Sequence, residues 1–175
     1  MRKPMLLAAL AFVSGVIGMT ACSTGQDLLV EPVFAAEVTG AVTRSAAGVA
    51  AFGVVREGGS TGFTLVMEDE TGVTIVLQKP AIARPVLGTY PIVPRDEVGP
   101  LNEYRGVVRI VVDGALEEFE ATAGTIIVTE DGPTFMKGTI AFQAVRTSPC
   151  CDPAPVTISV AGSFTAVQGP VAAAR

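Results

Sequence analysis

The hydrophobic positions of this chain recur with a period of two. Across Gly62–Gln78, Phe63, Leu65 and Met67 alternate with Thr64, Val66 and Glu68, and Val73, Ile75 and Leu77 alternate with Thr74, Val76 and Gln78. Successive strand side chains point to opposite faces, so this pattern predicts a hairpin turning at Asp69-Glu70-Thr71-Gly72. One apolar row faces the core, and the Thr/Val/Gln row faces outward. Pro80 and Pro85 break the ladder because each lacks a backbone N–H. Further runs predict strands at Glu37–Thr43, Val49–Arg56 and Tyr104–Val112. Asp113-Gly114 is a hairpin dipeptide whose residues tolerate positive φ. Glu117–Ala121, Gly124–Thr129, Phe135–Val145 and Val156–Val167 follow, and in the last Val156, Ile158, Val160, Gly162, Phe164 and Ala166 share one face. No long segment has a helical period. The expectation is an all-β fold, an antiparallel β-sandwich or barrel of about eight to ten strands over residues 37–167.

The first residues follow a different rule. Arg2 and Lys3 precede an uncharged apolar stretch, Met5–Gly18, which is too short to span a bilayer and has the layout of a secretory signal helix. The stretch ends in small residues at Thr20-Ala21-Cys22. Met19-Thr20-Ala21-Cys22 resembles the lipobox of bacterial lipoproteins, with Met where Leu is usual. That resemblance implies that residues 1–21 are a cleaved signal peptide and that Cys22 is acylated, here with palmitate-type chains. By the same resemblance, Ser23 after the cysteine favours the outer membrane of a double-membraned bacterium, on its periplasmic or surface face. Two or three acyl chains hold a protein to a bilayer where one would not. Residues 22–36 are then expected to be a flexible lipidated tether, and residues 168–175 a flexible tail.

Composition narrows the function classes. Loss of residues 1–21 takes Lys+Arg from 12 to 10 against 17 acids, a mature net charge of −7. Such a domain repels phosphate backbones, so nucleic acid is not an expected partner. Histidine and tryptophan are both absent. Without His there is no Ser-His-Asp or Cys-His machinery and no imidazole metal site. The 154 residues left after cleavage are enough for one domain with a real core.

Gly88-Thr89-Tyr90-Pro91, Gly124-Thr125-Ile126-Ile127-Val128-Thr129 and Gly138-Thr139-Ile140-Ala141-Phe142-Gln143-Ala144 resemble strand openings in a group of bacterial lipoprotein domains, all-β sandwiches of the Gly-Thr-Tyr-Pro and Gly-Thr-strand type. The group has no agreed activity. The resemblance therefore implies architecture and membrane location only.

Four sets of residues are candidates for chemistry. Cys150 and Cys151 are adjacent in a proline-stiffened loop, Ser148–Pro155. An oxidising compartment favours a disulfide, and neighbours could close on each other only in a strained ring. A redox switch or soft-metal site is the sharper reading, and a loop staple or a bond to another chain the plainer one. Glu68-Asp69-Glu70 and Glu130-Asp131 could offer oxygens to calcium, but lack a calcium-loop spacing and read as turn chemistry. Glu117, Glu118 and Glu120 could supply a glycosidase-like carboxylate pair, with Glu118 and Glu120 on one face, but no Trp is present as a sugar platform. Tyr90, Arg95, Tyr104 and Arg105 flank or lie in a Pro-rich loop and are the candidate partner-binding set, unless the tyrosines belong to the core.

The expected whole is a membrane-anchored, non-catalytic cell-envelope lipoprotein without metal or cofactor, acting as a binding or structural module. Its partner would be an envelope protein or a small ligand. The alternative is a calycin-like carrier, in which Gly and Ala on the inward rows of the last two strands would leave room for an apolar ligand.

Overall fold

The computed structural model describes residues 30–57, 60–99, 102–147 and 155–171. The expected signal peptide (residues 1–21), Cys22, Cys150 and Cys151 lie outside the described residues. Nine strands form: β1 (Val33–Gly40), β2 (Arg44–Glu57), β3 (Ser60–Asp69), β4 (Val73–Lys79), β5 (Gly88–Ile92), β6 (Arg105–Val112), β7 (Ala115–Asp131), β8 (Phe135–Arg146) and β9 (Thr157–Gln168), with one 3₁₀ turn at Arg95–Glu97. They belong to one sheet in the order β5-β7-β6-β4-β3-β2-β1-β9-β8, and β8 also pairs with β7. That pairing closes eight strands into an antiparallel barrel. Of the two architectures the pattern allowed, the barrel is the one formed.

Strand β7 carries the closure. Its first half pairs with β6, from Val112↔Ala115 to Val107↔Glu120. On the same edge its second half pairs with β5, from Ile92↔Gly124 to Gly88↔Val128. Its other edge pairs with β8 along most of its length, with register shifts between Ala121 and Ala123 and between Val128 and Glu130. The sequence pattern read β7 as two strands. An extra residue at the first shift explains why: inward positions are Phe119 and Ala121 before it, and Ile126 and Val128 after it.

The domain also begins earlier and ends later than expected. Val33–Ala36 are not tether but the start of β1, because Phe34 and Ala36 are buried and the segment pairs with β2 on one side and β9 on the other. Gln168 completes β9, and Gly169 N–H donates to the Phe52 carbonyl at 3.0 Å, which pins the start of the expected tail.

An eight-stranded barrel has an interior just wide enough for side chains to fill. Here large residues meet small ones across the ladders. Phe164 faces Gly138, Phe142 faces Gly124 and Phe34 faces Gly48. A Cβ on Gly138 would lie 2.1 Å from the Ile127 carbonyl oxygen and 2.8 Å from the Phe164 ring. Leu65, Met67, Ile75, Leu77, Ile110 and Phe119 expose none of their surface, so no space as large as a water molecule adjoins them. Each is worth about 1.5–3 kcal/mol on burial. The outward row of the β3–β4 hairpin is less wet than alternation implied: Thr64, Val76 and Gln78 are buried as well.

The turns follow their local chemistry. Asp113 (φ 51°) and Gly114 (φ 81°) both take positive φ, as a two-residue hairpin requires. The Asp69 carboxylate accepts from Thr71 N–H at 3.0 Å, Thr71 Oγ1 at 2.6 Å and Val73 N–H at 2.7 Å, so it is spent on shaping its own turn.

The interior fit has a measurable consequence. Gly138→Ala is expected to lower unfolding stability by about 1–3 kcal/mol through overpacking. Gly169→Ala, where nothing lies within 4 Å of the added Cβ, should stay within about 0.5 kcal/mol of the parent. Urea midpoints at constant slope report both.

Candidate functional site

The barrel has two unlike ends. The far end holds the β1–β2, β3–β4 and β6–β7 turns, tied together by Arg44, whose Nη1 donates to the carbonyls of Thr71 at 3.3 Å and Val111 at 3.2 Å. The near end is where β1, β3, β6 and β8 begin and where β4 and β9 finish. It is covered by residues 80–87, the β4–β5 connection.

Arg84 holds this connection in place. Its Nη1 donates to the Pro133 carbonyl at 3.0 Å, its Nη2 donates to the Phe135 carbonyl and pairs with Asp131, and its guanidinium carbon lies 4.6 Å from the Phe52 ring centroid. Phe63 N–H donates to the Ala81 carbonyl at 3.0 Å, and Tyr90 Oη to the Val86 carbonyl at 2.9 Å. Ile82, Val86 and Leu87 are left pointing to solvent, each more than 60 % exposed.

Beneath the connection lies a cluster of aromatic rings and one ammonium. Phe52 stacks on Phe63 at 5.7 Å, Phe63 meets Tyr104 edge-on at 6.5 Å, and Tyr104 meets Tyr90 edge-on at 6.0 Å. Lys79 closes the cluster, its Nζ 5.9 Å from the Tyr90 ring centroid and 6.0 Å from that of Tyr104. Alternation puts it there: Lys79 continues the inward row of Val73, Ile75 and Leu77, pairs with Phe63, and is 3 % exposed. No carboxylate lies within salt-bridge distance among the described residues, and the two ring faces supply the compensating negative potential. Burial lowers the Lys79 pKa from the usual lysine range.

Tyr104 is wholly buried, and its hydroxyl has no hydrogen-bond partner among the described residues. Burial first, and then neighbouring Tyr90, push its pKa above the normal tyrosine value. Its backbone is held on both sides, Tyr104 N–H donating to the Pro91 carbonyl and Val93 N–H to the Tyr104 carbonyl, both at 2.9 Å.

The four residues expected to form a partner-binding loop separate into three places. Tyr90 and Tyr104 meet in the aromatic cluster, where Tyr104 is a core residue and only Tyr90 is partly open. Arg105 points the other way and donates through Nε to Gln78 Oε1 at 2.9 Å. Arg95 sits on the 3₁₀ turn and lines a groove of about 230 Å³ with Asp96, Glu120, Thr122 and Arg146. Lys79 was not singled out in the sequence, although its place in the alternation was there to be read.

Several of the carboxylates singled out are engaged. Glu118 Oε2 accepts from Arg109 Nε at 2.8 Å, Glu117 lies 3.5 Å from Arg146, and Glu130 lies 2.9 Å from Lys137. Among the described residues no group of three or more His, Cys, Asp or Glu is placed to hold a metal ion. A shallow groove of about 500 Å³ crosses the outside of β2, β1, β9 and β8, floored by Ala36, Ala46 and Gly162. Its acid, Glu37, already accepts from Ser45 Oγ at 2.8 Å.

No protein-family model matches the chain, and no curated protein or solved structure is significantly similar to it.

The cluster titrates in two opposed senses. Lys79 has a folded pKa below its unfolded value of about 10.4, so its charge costs stability at neutral pH and the cost fades as pH rises toward that value. Tyr104 has a folded pKa above its unfolded value of about 10, so its contribution is complete below that pH and is lost above it. Any stability advantage of Lys79→Met over the parent should accordingly shrink between pH 7 and 10. Tyr104→Phe should hold its stability above pH 10 where the parent declines. Urea melts across that range measure both.

Proposed function

We propose that this chain is a lipid-anchored, non-catalytic lipoprotein of the cell envelope, acting through its outer surfaces as a binding or structural module. The lipobox-like Met19-Thr20-Ala21-Cys22 supports the anchor. The observation that carries the rest is the closed interior: Leu65, Met67, Ile75, Leu77, Ile110 and Phe119 have no accessible surface, so the mid-barrel leaves a ligand no room beside them. Work done by such a barrel falls to its ends and its wall. The buried Lys79 ammonium and Tyr104 hydroxyl suit a plug, because a substrate would have to displace residues 80–87 to touch them.

A calycin-like carrier is the second reading. In its favour is the closed eight-stranded barrel, an architecture that in other proteins encloses one small apolar molecule. Against it is the same filled interior, since Phe164 takes the space that Gly138 leaves and Phe34 and Phe142 are buried beside it.

Two measurements test these readings. Cys22→Ser is expected to move the protein from the membrane to the soluble fraction, and continued membrane retention of a processed form would count against the anchor. Native mass spectrometry of the domain from residue 23 onward, purified without reduction, is expected to show the bare chain. An added small-molecule mass would favour the carrier.

A further inference from the structure

Exposed apolar side chains are unevenly distributed over the barrel. Of the nine large hydrophobic residues exposed among the described residues, five lie at the near end: Val33, Val54, Ile82, Val86 and Leu87. Three of these stand on one connection that Arg84, Phe63 N–H and Tyr90 Oη hold in place from beneath. A clamped loop that displays Ile, Val and Leu to water has met the cost of ordering without gaining burial, and surfaces of this kind mark contact sites.

The chain enters the barrel at that same end, at Val33. Residues 23–32 are the ten that separate Cys22 from Val33, and fully extended the eleven steps between the two reach at most about 40 Å. Charge agrees with this orientation. The acidic turns with Asp69, Glu70 and Asp113 are at the far end, whereas at the near end Glu130 and Asp131 are each paired with a cation and the exposed Glu31 lies on the segment that leads back to the anchor.

We propose that the near end of the barrel rests on the bilayer that holds the lipid anchor, with Ile82, Val86 and Leu87 inserted at the level of the headgroups and upper acyl chains. This rests on the lipoprotein reading. The anchor makes the contact intramolecular in effect: an end confined within a tether's length of the surface binds through a patch too small to recruit a free protein. Insertion depends on apolar contact and not on charge, because a domain of net charge −7 is repelled by anionic lipid.

The absence of tryptophan makes the test direct. Leu87→Trp at the near end and Leu116→Trp on the β6–β7 hairpin at the far end each create a sole reporter at a site more than 60 % exposed. The lipidated full chain is reconstituted into phosphatidylcholine vesicles containing brominated lipid, and flotation verifies the anchor. Leu87→Trp is expected to shift its emission to the blue and to be quenched severalfold more than Leu116→Trp. Adding Ile82→Asp and Val86→Asp should abolish that quenching without affecting flotation. Equal, weak quenching at both ends of a floating protein overturns the inference and leaves the anchor standing. Failure to float, with no acyl mass on Cys22, overturns the anchor and this inference with it. A blue shift that needs no vesicles and grows with protein concentration assigns the patch to a second copy and overturns the inference as well.

Discussion

The width of a closed eight-stranded sheet is the constraint on which the rest of this molecule depends. Strand number and tilt set the interior diameter, and side chains from opposite walls must share it. The chain meets that limit by pairing bulk with its absence along the ladders. Phe164 faces Gly138, Phe142 faces Gly124, and Phe34 faces Gly48. Glycine in a strand costs backbone entropy and side-chain packing. Here that cost is offset at Gly138, where the missing side chain lets the Phe164 ring lie close against the neighbouring backbone. The same economy explains why so many interior side chains expose nothing.

The ends are finished by two arginines in different ways. Arg44 draws the far-end turns together through backbone carbonyls, leaving their acidic tips in water. Arg84 reaches over Phe52 and bonds the start of β8, turning the β4–β5 connection into a cover. Under that cover the compensation for Lys79 is aromatic and not ionic. Two tyrosine faces hold an ammonium less firmly than a carboxylate would, and they do so without adding a second buried charge that would itself need pairing.

The sequence was most legible where one face of a strand met the core and the other met water. The β3–β4 hairpin, the Asp113-Gly114 turn and β9 up to Val167 were readable because period-two alternation and turn chemistry are local properties. Strand β7 was read as two pieces because its inward set changes parity at the bulge between Ala121 and Ala123, and alternation cannot be followed across an inserted residue. The beginning of β1 was missed since Val33-Phe34-Ala35-Ala36 is apolar on both faces and shows no alternation. Barrel versus sandwich was beyond the pattern altogether, because alternation shows which face is inward and not which edge finds a partner. At the near end the converse held. Lys79 lay in plain register with Val73, Ile75 and Leu77, but a lysine just before Pro80 reads as a solvated strand end. Tyr104 was weighed as either a contact or a core residue, and only its packing against Phe63 and Tyr90 decided between them.

The seam between β1 and β9 has a consequence for how such a molecule is made. Val33 pairs with Thr165 and Gly40 with Ile158, so the first strand's outer edge is completed only by the last. A chain synthesised from its amino terminus therefore carries an open ladder until β9 has emerged. Unpaired strand edges recruit foreign strands, and pairings across so many residues are slow to form. Early termination would leave not a smaller barrel but an unsealed sheet with two sticky margins. This architecture thus places a premium on handling the nascent chain, and it makes the arrival of β9 the step at which an adhesive intermediate becomes a closed object.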